Sequence, residues 1–173
     1  VPAGRGIVHS ERRPQELATQ TYVNHGIQLW AALPLAQEEA APSFVHTPAA
    51  DIPEVQVGGA TVRVLIGTAL GQRSPVATYA PTLYLDVKLP AGATLELPVL
   101  AQEMAIYPVD GPVQLNGQAV AAQLLAVLAP GQRLHLAAGD SAVRLMVIGG
   151  DALDAPRYMW WNFVSSRKER IVQ

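Results

Sequence analysis

The feature that most constrains the fold is a series of short segments in the second part of the chain where apolar residues recur at every second position. The clearest is Thr82–Leu89, in which Leu83, Leu85, Val87 and Leu89 alternate with other residues. Successive side chains of a strand point to opposite faces of its sheet. The alternation therefore predicts a strand with one buried face.

Other short segments of this kind are separated by Gly, Pro and Asn turn signals. The dipeptide Asn116-Gly117 is the strongest hairpin signal among them. We predict further strands at residues 61–67, 95–99, 104–109, 113–115, 118–120, 124–128, 134–138 and 143–148. Short strands at this spacing predict an all-β antiparallel jelly roll or small barrel, and no strand–helix alternation indicates a parallel sheet.

Composition agrees with such a fold and excludes several functions. Half of the 173 residues are hydrophobic and 15% are charged, which permits a substantial core, and 14 Gly and 14 Pro suit many turns. The net charge of −2 gives neither a basic surface for nucleic acid nor a polybasic patch for a membrane. The chain has no cysteine, which excludes disulfides and favours a reducing compartment, so we expect a cytoplasmic protein. No apolar run is long enough to span a bilayer.

The first 59 residues are less regular. We predict strands at residues 7–11 and 27–33, a helix of one or two turns at 35–41, and a linker rich in Pro, Ala and Gly at 42–59. The chain begins at Val1 in what reads as the middle of a strand, so we expect the start to be a cut. At the other end, Ser166 and Glu169 have the spacing of a capping box and predict a terminal helix.

His9 and Glu11 are both of residue types that bind metals, and their spacing would let them bind one metal ion together. In a strand they project from the same face, and in a barrel that face is the interior, where imidazole and carboxylate both bind divalent cations. Gly4 and Gly6 precede them and permit a tight turn. The alternative is a solvent-facing polar pair without a role.

Five other polar residues are weaker candidates. His25 and His46 lie in predicted loops, and His135 falls on the outward face of a strand, so all three read as surface residues. Glu103 has no histidine partner and reads as a solvated carboxylate. Arg5 either neutralises a substrate oxyanion or forms a rim salt bridge.

The aromatic segment near the C-terminus has two readings. Trp160, Trp161 and Phe163 either line a pocket or pack the tail onto the barrel, and burial energetics favour packing.

Five segments together resemble the bacterial type of the pirin family of bicupins. They are AGRGIVHSER (3–12), GIQLWAALP (26–34), TLYLDVKL (82–89), LMVIGGDAL (145–153) and RYMWWNFVSSRKERI (157–171). They are long, occur in the family's order and extend over nearly the whole chain.

The resemblance implies two cupin barrels stacked face to face. The first holds one metal, usually iron, through three His and one Glu, two of the histidines coming from an H-x-H segment. His9 and Glu11 match the other two ligands, but no H-x-H occurs in this chain. The resemblance therefore implies that residues 1–41 are the remnant of the N-terminal cupin with a connecting helix, that 42–59 link the domains, and that 60–173 form a complete C-terminal cupin-type jelly roll with its aromatic tail and helix.

The resemblance also implies function. Some members act like quercetin 2,3-dioxygenases, which cleave a flavonol-type ring with O₂, and others are nuclear transcriptional co-regulators. We expect Fe to be absent from or weakly bound to this chain, which would be inactive alone, and a small aromatic molecule to be the substrate. The alternative is a non-enzymatic, metal-responsive interaction module. We expect no direct contact with nucleic acid or membrane, and self-association through the exposed inter-barrel face.

Overall fold

The computed structural model describes residues 1–172, which divide into two compact units. One unit is His46–Ala152, and the other combines Val1–Val45 with the C-terminal segment that begins at Leu153. No helix in the described residues has the length and apolar character needed to cross a bilayer.

The unit His46–Ala152 is built from antiparallel strands. Their bounds are β1 Glu54–Val57, β2 Ala60–Ile66, β3 Thr68–Ala69, β4 Gln72–Arg73, β5 Thr82–Leu89, β6 Thr94–Leu97, β7 Glu103–Pro108, β8 Val113–Leu115, β9 Gln118–Val120, β10 Ala126–Val127, β11 Leu134–Ala137 and β12 Val143–Gly150. One sheet has the order β1-β2-β5-β12-β7-β10, another the order β6-β11-β8-β9, and β3 and β4 form a small separate hairpin. This is the expected all-β, cupin-type jelly roll.

Strand β5 is central to the larger sheet because it pairs with β2 on one side and with β12 on the other. Its inward side chains, including Leu85 and Val87, are fully buried. They belong to one hydrophobic cluster with residues of the smaller sheet such as Leu95 and Leu136. The two sheets therefore enclose a single core, as the alternation of β5 predicts.

The opposite face of the larger sheet carries a buried ion pair that joins β5 to β12. Arg144 Nε and one terminal nitrogen donate hydrogen bonds of 2.8 and 2.7 Å to the two carboxylate oxygens of Asp86. These hydrogen bonds raise the pKa of the Arg144 guanidinium. Burial, followed by the Asp86 carboxylate, raises the pKa of Tyr84, two positions along the same face. Asp86 thus holds a cation across two strands.

Several turns follow from local residue choice. Asn116 and Gly117 have positive φ and join β8 to β9, as predicted. Residues 68–73 contain the small β3–β4 hairpin. Gly67 lies just before it with φ +88°, and a Cβ there would overlap the carbonyl oxygen of Thr82. Only glycine allows this close approach of two backbones.

The predictions for the first 59 residues are partly wrong. Residues 7–11 and 27–33 are not strands, because no neighbouring strand in the described residues pairs with them. The predicted helix at 35–41 is reduced to a 3₁₀ turn at Leu35–Gln37. Residues 42–59, which the sequence predicts as a linker, contain a 3₁₀ turn at Ala49–Asp51 and strand β1.

The unit that contains the N-terminus has little regular structure. It comprises 3₁₀ turns at Gln15–Leu17 and Leu35–Gln37, the hairpin strands β13 Tyr158–Trp160 and β14 Phe163–Ser165, and the helix α1 Glu169–Val172. The predicted capping box is wrong, because the helix begins three residues after Ser166, whose hydroxyl binds Glu38 instead. Gln173, within the predicted helix, lies outside the described residues.

Candidate functional site

The segment before His9 is fixed by a glycine turn. The Gly6 N–H donates to the Ala3 carbonyl at 2.8 Å, and the Arg5 N–H donates to the Ala40 carbonyl at 3.1 Å. Gly4 has φ +51°, and a Cβ at this position would overlap the Ala40 oxygen. The turn thus requires glycine and attaches residues 3–6 to the backbone at Ala40.

His9 and Glu11 lie together even though their segment is not a strand. His9 Nε2 is 3.8 Å from Glu11 Oε1, and the side chains are 47% and 86% exposed. The two residues are two positions apart in a segment without regular secondary structure, and not on a strand of a barrel. An imidazole nitrogen and a carboxylate oxygen arranged in this way fit a divalent cation as two of its ligands.

The pair is not a complete metal site. No group of three or more His, Cys, Asp or Glu side chains suited to a metal occurs among residues 1–172. His25 and His46 are exposed. Two ligands leave the other coordination positions to water, so the donors in this part of the protein fit half of a four-ligand set.

The remaining sequence candidates are exposed side chains. His135 is an exposed residue of β11, and its backbone N–H donates to the side chain of Asn116 at 2.8 Å. Glu103 is exposed at the start of β7, and Arg5 is exposed. The interior of the second barrel contains Leu95 and Leu97, both buried in the core. A metal site inside that barrel is therefore not supported.

Sequence reasoning missed a polar cluster that joins distant parts of the N-terminal unit. The carboxylate of Glu38 accepts hydrogen bonds from the Ser166 N–H at 2.5 Å and the Ser166 hydroxyl at 2.6 Å. Burial raises the pKa of Glu38. The Ser166 hydrogen bonds and the nearby positive charges of Arg157 and Arg167 lower it by more than burial raises it, so the pKa of Glu38 lies below its ordinary value. No local sequence signal reveals such a long-range pairing.

Arg157 is the second part of this cluster. Its side chain is 6% exposed, and one terminal nitrogen donates to the Leu33 carbonyl at 2.6 Å and to Asp154 at 2.9 Å. Its Nε lies 3.9 Å from Glu38 and makes no hydrogen bond. Because Asp154 also accepts from the Leu35 N–H, these contacts fasten residues 33–38 to the C-terminal segment. The cluster is structural, since its polar atoms face one another.

An open cleft of about 1060 Å³ lies in the other unit, beside the β3–β4 hairpin. Its wall contains Arg73, Asp51 and Asp151, so both signs of charge are present. Ser74 lies in the same wall, and its hydroxyl proton is already used in a hydrogen bond to the Leu65 carbonyl. This mixture specifies no class of ligand.

Comparison with known proteins places these observations in a family. The family model described as "Pirin C-terminal cupin domain" matches residues 84–173. A pirin-like protein of Caulobacter vibrioides is 38% identical over 172 residues, covering 99% of this chain and 59% of the relative. A Pseudomonas aeruginosa protein whose name assigns it provisionally to the quercetin 2,3-dioxygenases is 34% identical, covering 99% and 53%.

A solved structure agrees with the architecture. Quercetin 2,3-dioxygenase from Acinetobacter baumannii superposes with a TM-score of 0.75 at 28% identity, over 83% of this chain and 48% of that one. The chain spans between half and three-fifths of the length of the two curated relatives named above. The family match over the second barrel and the alignment of nearly the whole chain lead to one conclusion: the chain belongs to the pirin family of cupin proteins.

Proposed function

We propose that this chain forms part of a metal-dependent dioxygenase of the quercetin 2,3-dioxygenase type, in which His9 and Glu11 supply two of the metal ligands. The single observation that carries the proposal is the 3.8 Å approach of the two exposed donor groups. The similarity to the provisionally named Pseudomonas quercetin 2,3-dioxygenase supports the same reaction type. The metal we propose is Fe²⁺, and the location we propose is the cytoplasm, which the absence of cysteine favours.

A bound Fe²⁺ with open positions would hold a dihydroxy-aromatic substrate and O₂ next to each other. The residues of this chain would hold the cation. His9 presents a neutral nitrogen and Glu11 a negative oxygen, which offsets one of the two positive charges of the cation. The glycine turn at residues 3–6 holds the start of the segment that presents them. Since the described residues contain half of a ligand set, we propose that the chain alone is inactive.

The first test is elemental metal content together with intact mass, followed by anaerobic titration with Fe²⁺. We expect weak binding that is lost in His9→Ala and in Glu11→Ala. His46→Ala is the matched control, because it removes an exposed histidine from the other unit. Binding that persists in both ligand variants would refute the assignment of these residues.

The second test is oxygen uptake with quercetin in any form of the protein that retains iron stoichiometrically. We expect uptake that His9→Ala abolishes and that His46→Ala leaves unchanged. Stoichiometric iron without uptake on any flavonol would reject the dioxygenase while keeping the metal site.

We keep one alternative, a metal-responsive interaction module without enzymatic activity. The observation that favours it is the number of exposed large apolar side chains in the N-terminal unit, such as Trp30, Phe44 and Trp161. A module of this kind would bind its partner with different affinity before and after addition of a chelator, whereas an enzyme would lose turnover.

A further inference from the structure

The C-terminal segment holds residues 33–39 by contacts to main-chain atoms. The Leu33 carbonyl accepts a hydrogen bond from Arg157 at 2.6 Å, and the Leu35 N–H donates to Asp154 at 2.7 Å. Contacts of this kind fix the path of the backbone, because they satisfy main-chain groups that need a partner when they are shielded from water. The first part of this stretch is therefore held in one position.

The other end of the same stretch is held by Glu38. Its two carboxylate oxygens accept hydrogen bonds from the N–H and the hydroxyl of Ser166. The Arg157 side chain, which is 6% exposed, brings its Nε to 3.9 Å from this carboxylate. A buried guanidinium or carboxylate is costly to leave without its counter-charge, so these groups keep one another in place. We call the four residues Glu38, Asp154, Arg157 and Ser166 the Glu38 cluster.

A path of backbone hydrogen bonds leads from this cluster to the glycine turn. The Ala40 N–H donates to the Gln37 carbonyl at 3.0 Å, which fixes Ala40 next to the cluster. The Ala40 carbonyl accepts the Arg5 N–H at 3.1 Å, and the Ser43 N–H donates to the Pro2 carbonyl at 3.0 Å. The last two hydrogen bonds hold the start of the chain against the residues that follow the cluster.

The glycine turn is the last fixed point of the backbone before the metal pair. His9 follows Gly6 by three residues, and Glu11 follows it by five. Within the part of the chain that the structure describes, the backbone of residues 7–11 makes no hydrogen bond to other backbone groups. The place from which this short segment leaves the turn therefore depends on how the turn is held.

We propose that Arg157 and Glu38 are positioning residues for the metal pair, because they hold the glycine turn and thereby the start of the segment that presents His9 and Glu11. The inference rests on the proposed metal binding by that pair. The two positioning residues act through the backbone at Ala40. A donor segment that is held before the metal arrives loses less conformational freedom on binding, so the cluster raises the metal affinity.

The expected size of the effect follows from the place of the cluster. Groups that orient metal ligands by direct contact typically change metal affinity by about 10- to 100-fold. The Glu38 cluster acts through the glycine turn and a further piece of chain, so the lower limit applies. We expect loss of the cluster to raise the dissociation constant for Fe²⁺ about 10-fold.

Anaerobic titration of the whole chain with Fe²⁺ tests the proposal. Arg157→Met, which removes the guanidinium but keeps an apolar stem, should raise the dissociation constant about 10-fold. Ser166→Ala removes one of the two hydrogen bonds to Glu38 and should raise it about 3-fold, whereas Ser166→Thr keeps the hydroxyl and should bind like the unmodified chain. Lys168→Met is the matched control, because it removes one positive charge from an exposed position of the same segment.

Amide hydrogen exchange supplies a second readout that needs no metal. The Arg5 N–H is bound to the Ala40 carbonyl, so it should lose protection in Arg157→Met. The N–H groups of β5 in the other unit should exchange as before. This comparison separates a local release of the glycine turn from a general loss of stability.

Each outcome decides the question. Weaker Fe²⁺ binding and faster exchange at Arg5 in Arg157→Met, with Ser166→Thr and Lys168→Met unchanged, support the proposal. Binding of full strength in both Arg157→Met and Ser166→Ala, or equal weakening by Lys168→Met, overturns it and leaves the metal pair standing. An unmodified chain that binds no Fe²⁺ rejects the proposed metal function and this inference with it. If Arg157→Met does not fold, the comparison of Ser166→Ala with Ser166→Thr gives the answer.

Discussion

Replacement of Asp86 by Asn should destabilise the jelly roll far more than its position on the outer sheet face suggests. Asp86 is 3% exposed and receives two hydrogen bonds from Arg144. Asn keeps the shape of the side chain but removes the charge, and its amide group cannot accept both bonds. The guanidinium then loses the carboxylate that accepts its hydrogen bonds of 2.8 and 2.7 Å.

The magnitude follows from the burial of the two partners. Removing one partner of a fully buried ion pair costs about 3–5 kcal/mol. The Arg144 side chain is 32% exposed, so it recovers part of its hydration. We therefore expect a loss near the lower limit, about 3 kcal/mol in the free energy of unfolding. For a unit of this size this corresponds to a decrease of about 10 °C in melting temperature.

Urea unfolding followed by far-ultraviolet circular dichroism measures this loss, because the signal comes largely from the strands of the jelly roll. Asp140→Asn is the matched control, since it makes the same chemical change at an exposed loop residue and should cost less than about 0.5 kcal/mol. A double-mutant cycle with Arg144→Met isolates the pair energy. Equal effects of Asp86→Asn and Asp140→Asn would refute the reasoning that burial makes this charge pair costly to break.

Two further predictions concern a close backbone approach and a pH dependence. Gly67→Ala should destabilise the protein by at least about 2 kcal/mol more than Gly71→Ala. Both glycines have a positive φ, but only at Gly67 would a Cβ overlap a neighbouring carbonyl oxygen. Chemical denaturation measures the difference, and equal losses of stability would contradict the predicted overlap. Acidification should loosen the N-terminal unit first, because the lowered pKa of folded Glu38 gives stability that is present above about pH 4.5 and is lost as the pH falls through the folded pKa. Tryptophan fluorescence measures the acid transition of the N-terminal unit, since all three tryptophans, Trp30, Trp160 and Trp161, lie in that unit. An acid transition that Glu38→Gln leaves unchanged would contradict the assignment of this stability to Glu38.

The strands of the jelly roll were predictable because alternation and turn residues act locally. Strand β5 has the predicted bounds, and the Asn116-Gly117 hairpin joins β8 and β9 as expected. Residues 27–33 show a similar alternation but form no strand, because a strand also needs a hydrogen-bonding neighbour and none is present in the described residues. Apolar periodicity shows that one segment could form a strand, but it does not show whether a second strand lies beside it.

Polar partners were the least predictable part of the molecule. Alternation places Asp86 on the face of β5 opposite to Leu85 and Val87, but it does not reveal that this carboxylate is paired with Arg144 on the neighbouring strand. The same limit applies to Glu38 and Ser166, which are remote in sequence. The His9–Glu11 pair was recognisable because the two residues are only two positions apart in the sequence, so that no partner strand is needed to bring their side chains to 3.8 Å.

The same reasoning applies to the aromatic hairpin. An apolar residue in the sequence indicates a surface that needs to be covered, and in β5 the smaller sheet of the same unit provides the cover. Trp160, Trp161 and Phe163 have the same need, but the described residues of their own unit leave them exposed. Apolar residues in a sequence thus predict that a surface needs a cover, but they do not identify the part of a protein that provides it.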